Sequence, residues 1–229
     1  MFHSFNLNQI VVMLVPLLFA VTIHEVAHGY VAYRMGDDTA RLAGRLTLNP
    51  LKHLDWFGSL LLPAILKFSG SPFIFGYAKP VPVNFLNFRN YRKGILLVAA
   101  AGVAANLAMV ILLGLCFQFL LKNASLWYDS IIRPVVMELF LMLGYSAIIN
   151  SILAIFDLIP IPPLDGSRIV AMLLPPAVQK HYIRIERIGM ILIIALLITN
   201  IINRMVLYFL NPLLKLSLGR EGIAFIFGQ

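Results

Sequence analysis

"VTIHEVAHGY", residues 21–30, places two imidazoles and a carboxylate within five positions of an apolar run that extends from about 10 to 33. On a helix, His24 and His28 are one turn apart on the same face. Each ionisable group inside a membrane helix costs a few kcal/mol and is functional by default. The pattern His24-Glu25-Val26-Ala27-His28 is H-E-x-x-H. Its two imidazoles suit one zinc ion, and the intervening glutamate suits proton transfer with water activated there. This reading needs the stretch to be a helix within a lipid-embedded protein.

The remaining sequence supports that setting. The chain has 229 residues, 60% of them hydrophobic and 12% charged, with a mean hydropathy of +0.89. A soluble domain is closer to half apolar and a quarter charged. The length suits one compact membrane domain, 1–229. Further apolar runs at about 95–121 and 134–157 reach the roughly 20 residues needed for a span. A fourth starts near 187 and is interrupted by Asn200, Asn203 and Arg204. The expected fold class is an all-α polytopic membrane protein. It is a bundle of about four to six transmembrane helices with a re-entrant or surface segment and short β-strands near the active site.

The net charge of +8 does not point to nucleic acid. Arg34, Arg41, Arg45 and Lys52 form one basic segment, Lys79, Arg89, Arg92 and Lys93 a second, and Arg168, Lys180, Arg184 and Arg187 a third. Each lies beside an apolar run, as cytoplasmic loops do under the positive-inside rule. The start, "MFHSFNLNQ", has no Lys or Arg, so it lacks the charged region of a cleaved signal. The first run is expected to remain as a helix. The lone Cys116 excludes an internal disulfide and a cysteine-based metal site.

Zinc needs a third protein ligand and an open position. His3, His53 and His181 read as ordinary polar surface residues. Asp37, Asp38, Asp55, Asp129, Glu186 and Glu221 read as solvated loop charges, and Glu138 as interfacial. Asp157 and Asp165 remain, both within "NSILAIFDLIPIPPLDGSRIV", residues 150–170. Pro160, Pro162 and Pro163 forbid a continuous helix there. Irregular backbone at membrane depth is tolerated only inside protein or beside a water-filled cavity. Asp165-Gly166 therefore lies where a carboxylate can face a metal.

The pair "HEVAH" and "PPLDG" resembles the site-2 protease family of intramembrane zinc metalloproteases, in its short form without an appended PDZ domain. "AGVAANL" at 101–107 resembles the small-residue motif of that family's middle core helix. "GRLTLNP" and "AKPVPVN" are similar to its strand-forming segments. The resemblance implies that His24, His28 and Asp165 hold one Zn2+ and that Glu25 is the catalytic base. It implies hydrolysis of a peptide bond in or near the transmembrane segment of a membrane-protein substrate. The chain departs at two positions. Asp157 stands where the family usually has Asn, and Val103 where Pro is common. A carboxylate donates a hydrogen bond only when protonated, so a substrate-polarising role does not transfer unchanged to Asp157. Asn106 and Asp157 are treated as possible substrate or transition-state contacts. The alternatives are a catalytically impaired zinc-binding scaffold and an ion or metal transporter.

The two motifs constrain topology. If 56–78 crossed the membrane fully, Asp165 would emerge on the face opposite His28. If 54–93 enters and returns, or lies along the surface, the three basic segments share one face. The expectation is a bacterial or archaeal membrane protein with an external N-terminus and a site nearer the cytoplasmic face. Its partners are the lipid bilayer and a membrane-protein substrate, with no nucleic acid. Oligomeric state is not legible.

Overall fold

The computed structural model describes residues 7–61, 65 and 78–228. It contains α1 (Leu7–Met35), α2 (Tyr91–Lys122), α3 (Arg133–Asp157), α4 (Asp165–Leu173), α5 (Pro176–Arg184), α6 (Glu186–Ile198), α7 (Ile201–Ser217) and α8 (Gly219–Phe227), with short turns of helix between them. Among the described residues, α1, α2 and α3 are long and apolar enough to cross a membrane. α6 and α7 make a fourth span if counted together, bent by 75° at their junction. Asn200 forms that break in the left-handed conformation, at φ 59°. A short polar side chain tolerates this backbone region, which most residues avoid. The result is an all-α membrane fold with three or four candidate spans among the described residues, of which the higher count meets the lower end of the expected four to six.

The helix ends follow their sequence signals. Asn90 caps α2, its side chain accepting from the Lys93 N–H, which satisfies one of the orphan amides of the first turn. Pro134 stands in the first turn of α3, where its missing N–H is harmless. Pro160, Pro162 and Pro163 end α3 and hold the chain irregular until α4 begins at Asp165.

α2 packs against both α1 and α3. At the end remote from His28, Phe117 and Phe140 stack with ring centroids 4.0 Å apart. Leu210 and Leu214 of α7, Ile226 of α8 and Leu218 between them close that core. At the other end Ala32, Phe88, Ile95, Val98, Ala171 and Met172 form a second cluster. The Met35 carbonyl accepts from the Arg89 N–H at 3.0 Å, so the exit of α1 and the entry to α2 lie together.

The Lys79 N–H donates to the His53 carbonyl at 2.9 Å. Segment 54–78 therefore begins and ends at the same place, as a path that enters and returns requires. Residues 62–64 and 66–68 of the short apolar run 56–68 lie outside the described residues. Trp56–Leu61 forms one π-helical turn.

Several sequence expectations change here. Among the described residues no β-strand forms. Segment 78–84 runs past the site without a ladder. Pro80 and Pro82 remove alternate amides, and the amides of Val81 and Asn84 bond side chains instead. Asp37 is fully buried rather than solvated, and His53 is 2% exposed rather than a surface residue. Both serve loop packing. His53 Nε2 donates to the Thr47 carbonyl at 2.9 Å. Asp37 accepts from the backbone of Thr39 and Asn84 and from the Asn87 side chain.

Candidate metal centre

α1 presents His24 and His28 toward α4, their rings edge to face with centroids 4.5 Å apart. The two Nε2 atoms are separated by 2.8 Å. Asp165, the first residue of α4, places Oδ2 at 3.0 Å from His28 Nε2 and 3.5 Å from His24 Nε2. Among the described residues these three form the one group with metal-ligand geometry, their donor atoms within 4.8 Å of one another.

Two further contacts set the ring tautomers. His28 Nδ1 lies 2.6 Å from the Val98 carbonyl. A carbonyl only accepts, so Nδ1 carries the proton and Nε2 carries a lone pair. His24 Nδ1 lies 3.1 Å from the Asn106 amide, and Asn106 Oδ1 is left buried and unpartnered. Amide oxygen and nitrogen are interchangeable in such an assignment. With the amide turned, Oδ1 accepts from His24 Nδ1–H and leaves the lone pair on Nε2. Asp157 Oδ2 lies 3.7 Å from the same His24 Nδ1.

Three electron-pair donors therefore face one another at close range. Asp165 Oδ2 is buried and has no well-directed hydrogen bond despite its nearness to both rings. Lone pairs converging on a common point rather than on a shared proton fit a cation. Tetrahedral zinc with bonds of 2.0–2.1 Å has ligand–ligand edges of about 3.3 Å, and the observed edges of 2.8, 3.0 and 3.5 Å bracket that figure. The residues fit a metal held by two imidazoles and a carboxylate, each imidazole oriented by a partner on its other nitrogen.

Backbone packing makes this approach possible. A Cβ on Gly102 of α2 would lie 2.5 Å from both His24 Cε1 and His28 Nε2. Only glycine lets α2 pass this close behind the rings. Gly166 likewise sits against the Leu158 carbonyl, which draws the start of α4 back onto the end of α3.

The family model for peptidase family M50 matches residues 12–199. The chain belongs to peptidase family M50, the site-2 protease family. Among curated relatives of this M50 chain, YwhC of Bacillus subtilis, by its name a candidate zinc metalloprotease, is 36% identical over 99% of the chain and 95% of its own length. Rip2 of Mycolicibacterium smegmatis, named in the same way, is 32% identical over 82% of the chain and 66% of its own length. No solved structure matches.

The M50 centre opens on a cavity of about 560 Å³. Its lining includes His24, Glu25, His28, Asp157, Asp165 and Arg168, with Pro80, Val81 and Val83 along one side. Glu25 faces this space, and its Oε2 accepts from the Val81 N–H at 2.7 Å. The sequence-derived set His24, Glu25, His28, Asp157 and Asp165 thus meets in one place. Asn106 is fully buried behind His24 and does not line the cavity. Sequence reading missed Val81 and Arg168. A backbone amide leaves no mark in composition, and Arg168 read as one more loop charge.

Proposed function

We propose that this chain is an intramembrane zinc endopeptidase that hydrolyses a peptide bond in or near the transmembrane segment of a membrane-protein substrate. The convergence of His24, His28 and Asp165 beside Glu25, in a chain of the M50 family, carries this reading. One Zn2+ held by those three residues supplies Lewis-acid polarisation of a carbonyl and a lowered pKa for water.

The chain's own groups do the rest. Glu25 takes a proton from the attacking water and delivers it to the amine leaving group. The Val81 amide steadies its carboxylate for that exchange. Val98 and Asn106 hold the two imidazoles in the tautomer that leaves Nε2 free for the metal. Asp157 stands near His24 and lines the cavity, which suits support of that ring or contact with substrate. The substrate helix must unwind, because its carbonyls are engaged in its own hydrogen bonds. An edge offered by residues 43–49 or 78–84 would replace those bonds.

The grouping of basic residues near this end of the bundle supports a site toward the cytoplasmic face and an external N-terminus. A cell membrane of bacterial type fits the organisms of the relatives named above.

The test uses cells carrying the wild type or Glu25→Gln. Membrane-derived peptide fragments are compared, and zinc content is measured on both purified proteins. The variant should retain zinc and lose a defined set of fragments. Identical fragment patterns would remove Glu25 as the base.

A further inference from the structure

Of the lysines and arginines among the described residues, Arg168 alone lines the metal cavity. It lies on α4 three positions after Asp165. Residues i and i+3 of a helix are neighbours on one face, with about 5–6 Å between Cβ atoms. Its guanidinium makes a cation–π contact with Phe85, with Cζ 5.4 Å from the ring centroid. Phe85 lines the same cavity.

Three other arginines near this end have side-chain partners. Arg45 donates to the Lys79 carbonyl, Arg92 to the carbonyls of Met172 and Leu174, and Arg41 pairs with Asp38. Arg168 has no ion pair or hydrogen bond among the described residues, although Glu25, Asp157 and Asp165 line the same cavity. A half-buried guanidinium with unfilled donors is poised for an anion that arrives from outside. A cation–π contact uses none of the guanidinium N–H donors, and paired N–H groups of a guanidinium match a carboxylate.

We propose that Arg168 is the carboxylate-binding group of this cavity and positions the bound chain next to the metal ligands. The carboxylate comes either from hydrolysis, as the new chain terminus, or from an acidic side chain beside the cleaved bond. This inference rests on the protease reading above.

The full chain is purified in detergent and treated with chelator, and a portion is reloaded with zinc. Dissociation constants are measured for N-acetyl-leucine, N-acetyl-leucinamide, N-acetyl-glutamic acid α-amide and dibutyl phosphate. In the chelated wild type, at least one carboxylate should bind about tenfold more tightly than leucinamide, as a paired charge-assisted contact allows. Arg168→Gln should bring that ratio to about one while still taking up zinc on reloading, and Arg168→Lys should keep part of it. The better carboxylate probe identifies the source: N-acetyl-leucine the product terminus, the glutamic acid amide an acidic substrate residue. A ratio unchanged in Arg168→Gln, or seen in wild type only with zinc, overturns the proposal. So does tighter binding of dibutyl phosphate than of either acid, which would mark a lipid phosphate site. Binding is read here without catalysis, so failure of the protease reading and failure of this assignment give different results.

Discussion

The Val81 N–H and the Glu25 carboxylate meet at 2.7 Å across 56 positions of sequence. Pro80 and Pro82 flank Val81, so the Val81 amide stands between two residues that have none. Val81→Pro removes that donor. Turnover should fall about tenfold, in line with losing one hydrogen bond to a charged group worth about 1.5 kcal/mol. Val81→Ala keeps the amide and should retain most activity. Rates measured at equal zinc content check this, and equal loss in both variants would assign the effect to the side chain instead.

Gly102 bears on metal retention. A methyl group there falls 2.5 Å from both rings. Overpacking of this kind costs about 1–3 kcal/mol, so Gly102→Ala should weaken zinc binding by roughly tenfold or more. Its helical content should match the wild type. Competition with a chelator of known affinity measures this, and an unchanged zinc affinity would show that the helices separate freely.

Asn106 is expected to act through His24. Removing a partner that orients a metal-bound imidazole lowers affinity about 10- to 100-fold, so Asn106→Ala should release zinc at lower chelator concentrations. Unaltered affinity together with a raised KM would move Asn106 to substrate contact.

Asp37 governs an acid-sensitive fastening. Burial opposes its ionisation, but hydrogen bonds from Thr39, Asn84 and Asn87 outweigh that penalty and hold its carboxyl below the ordinary range. The folded value is therefore lower than the unfolded value of about 3.9. Its contribution to stability is complete above the unfolded value and drains as pH falls through the folded one. The gap in thermal midpoint between wild type and Asp37→Asn should be constant from neutral pH down to about pH 5 and close below about pH 4. A gap that widens on acidification would contradict the assignment.

Much of this protein is legible in its sequence. The apolar runs gave three of the spans, because hydrophobic length is a local property set by bilayer thickness. His24 and His28 were readable as a pair, because helical periodicity alone puts them on one face. The break before Asp165 followed from three prolines that cannot continue a helix.

Tertiary structure decided which distant groups meet. His53 and Asp37 carry the same chemistry as exposed loop residues, and only the return of the chain at Lys79 and Asn84 buries them. The arrival of Asp165 at the imidazoles depends on Gly102 and Gly166 allowing backbones to close in. Arg168 changed from a topological charge to a cavity group because α4 turns it toward the site. Local sequence sets helix, break and polarity through short-range sterics and solvation. Which carboxylate, amide or guanidinium a site receives is set by packing between segments far apart in the chain, and residue spacing does not encode it.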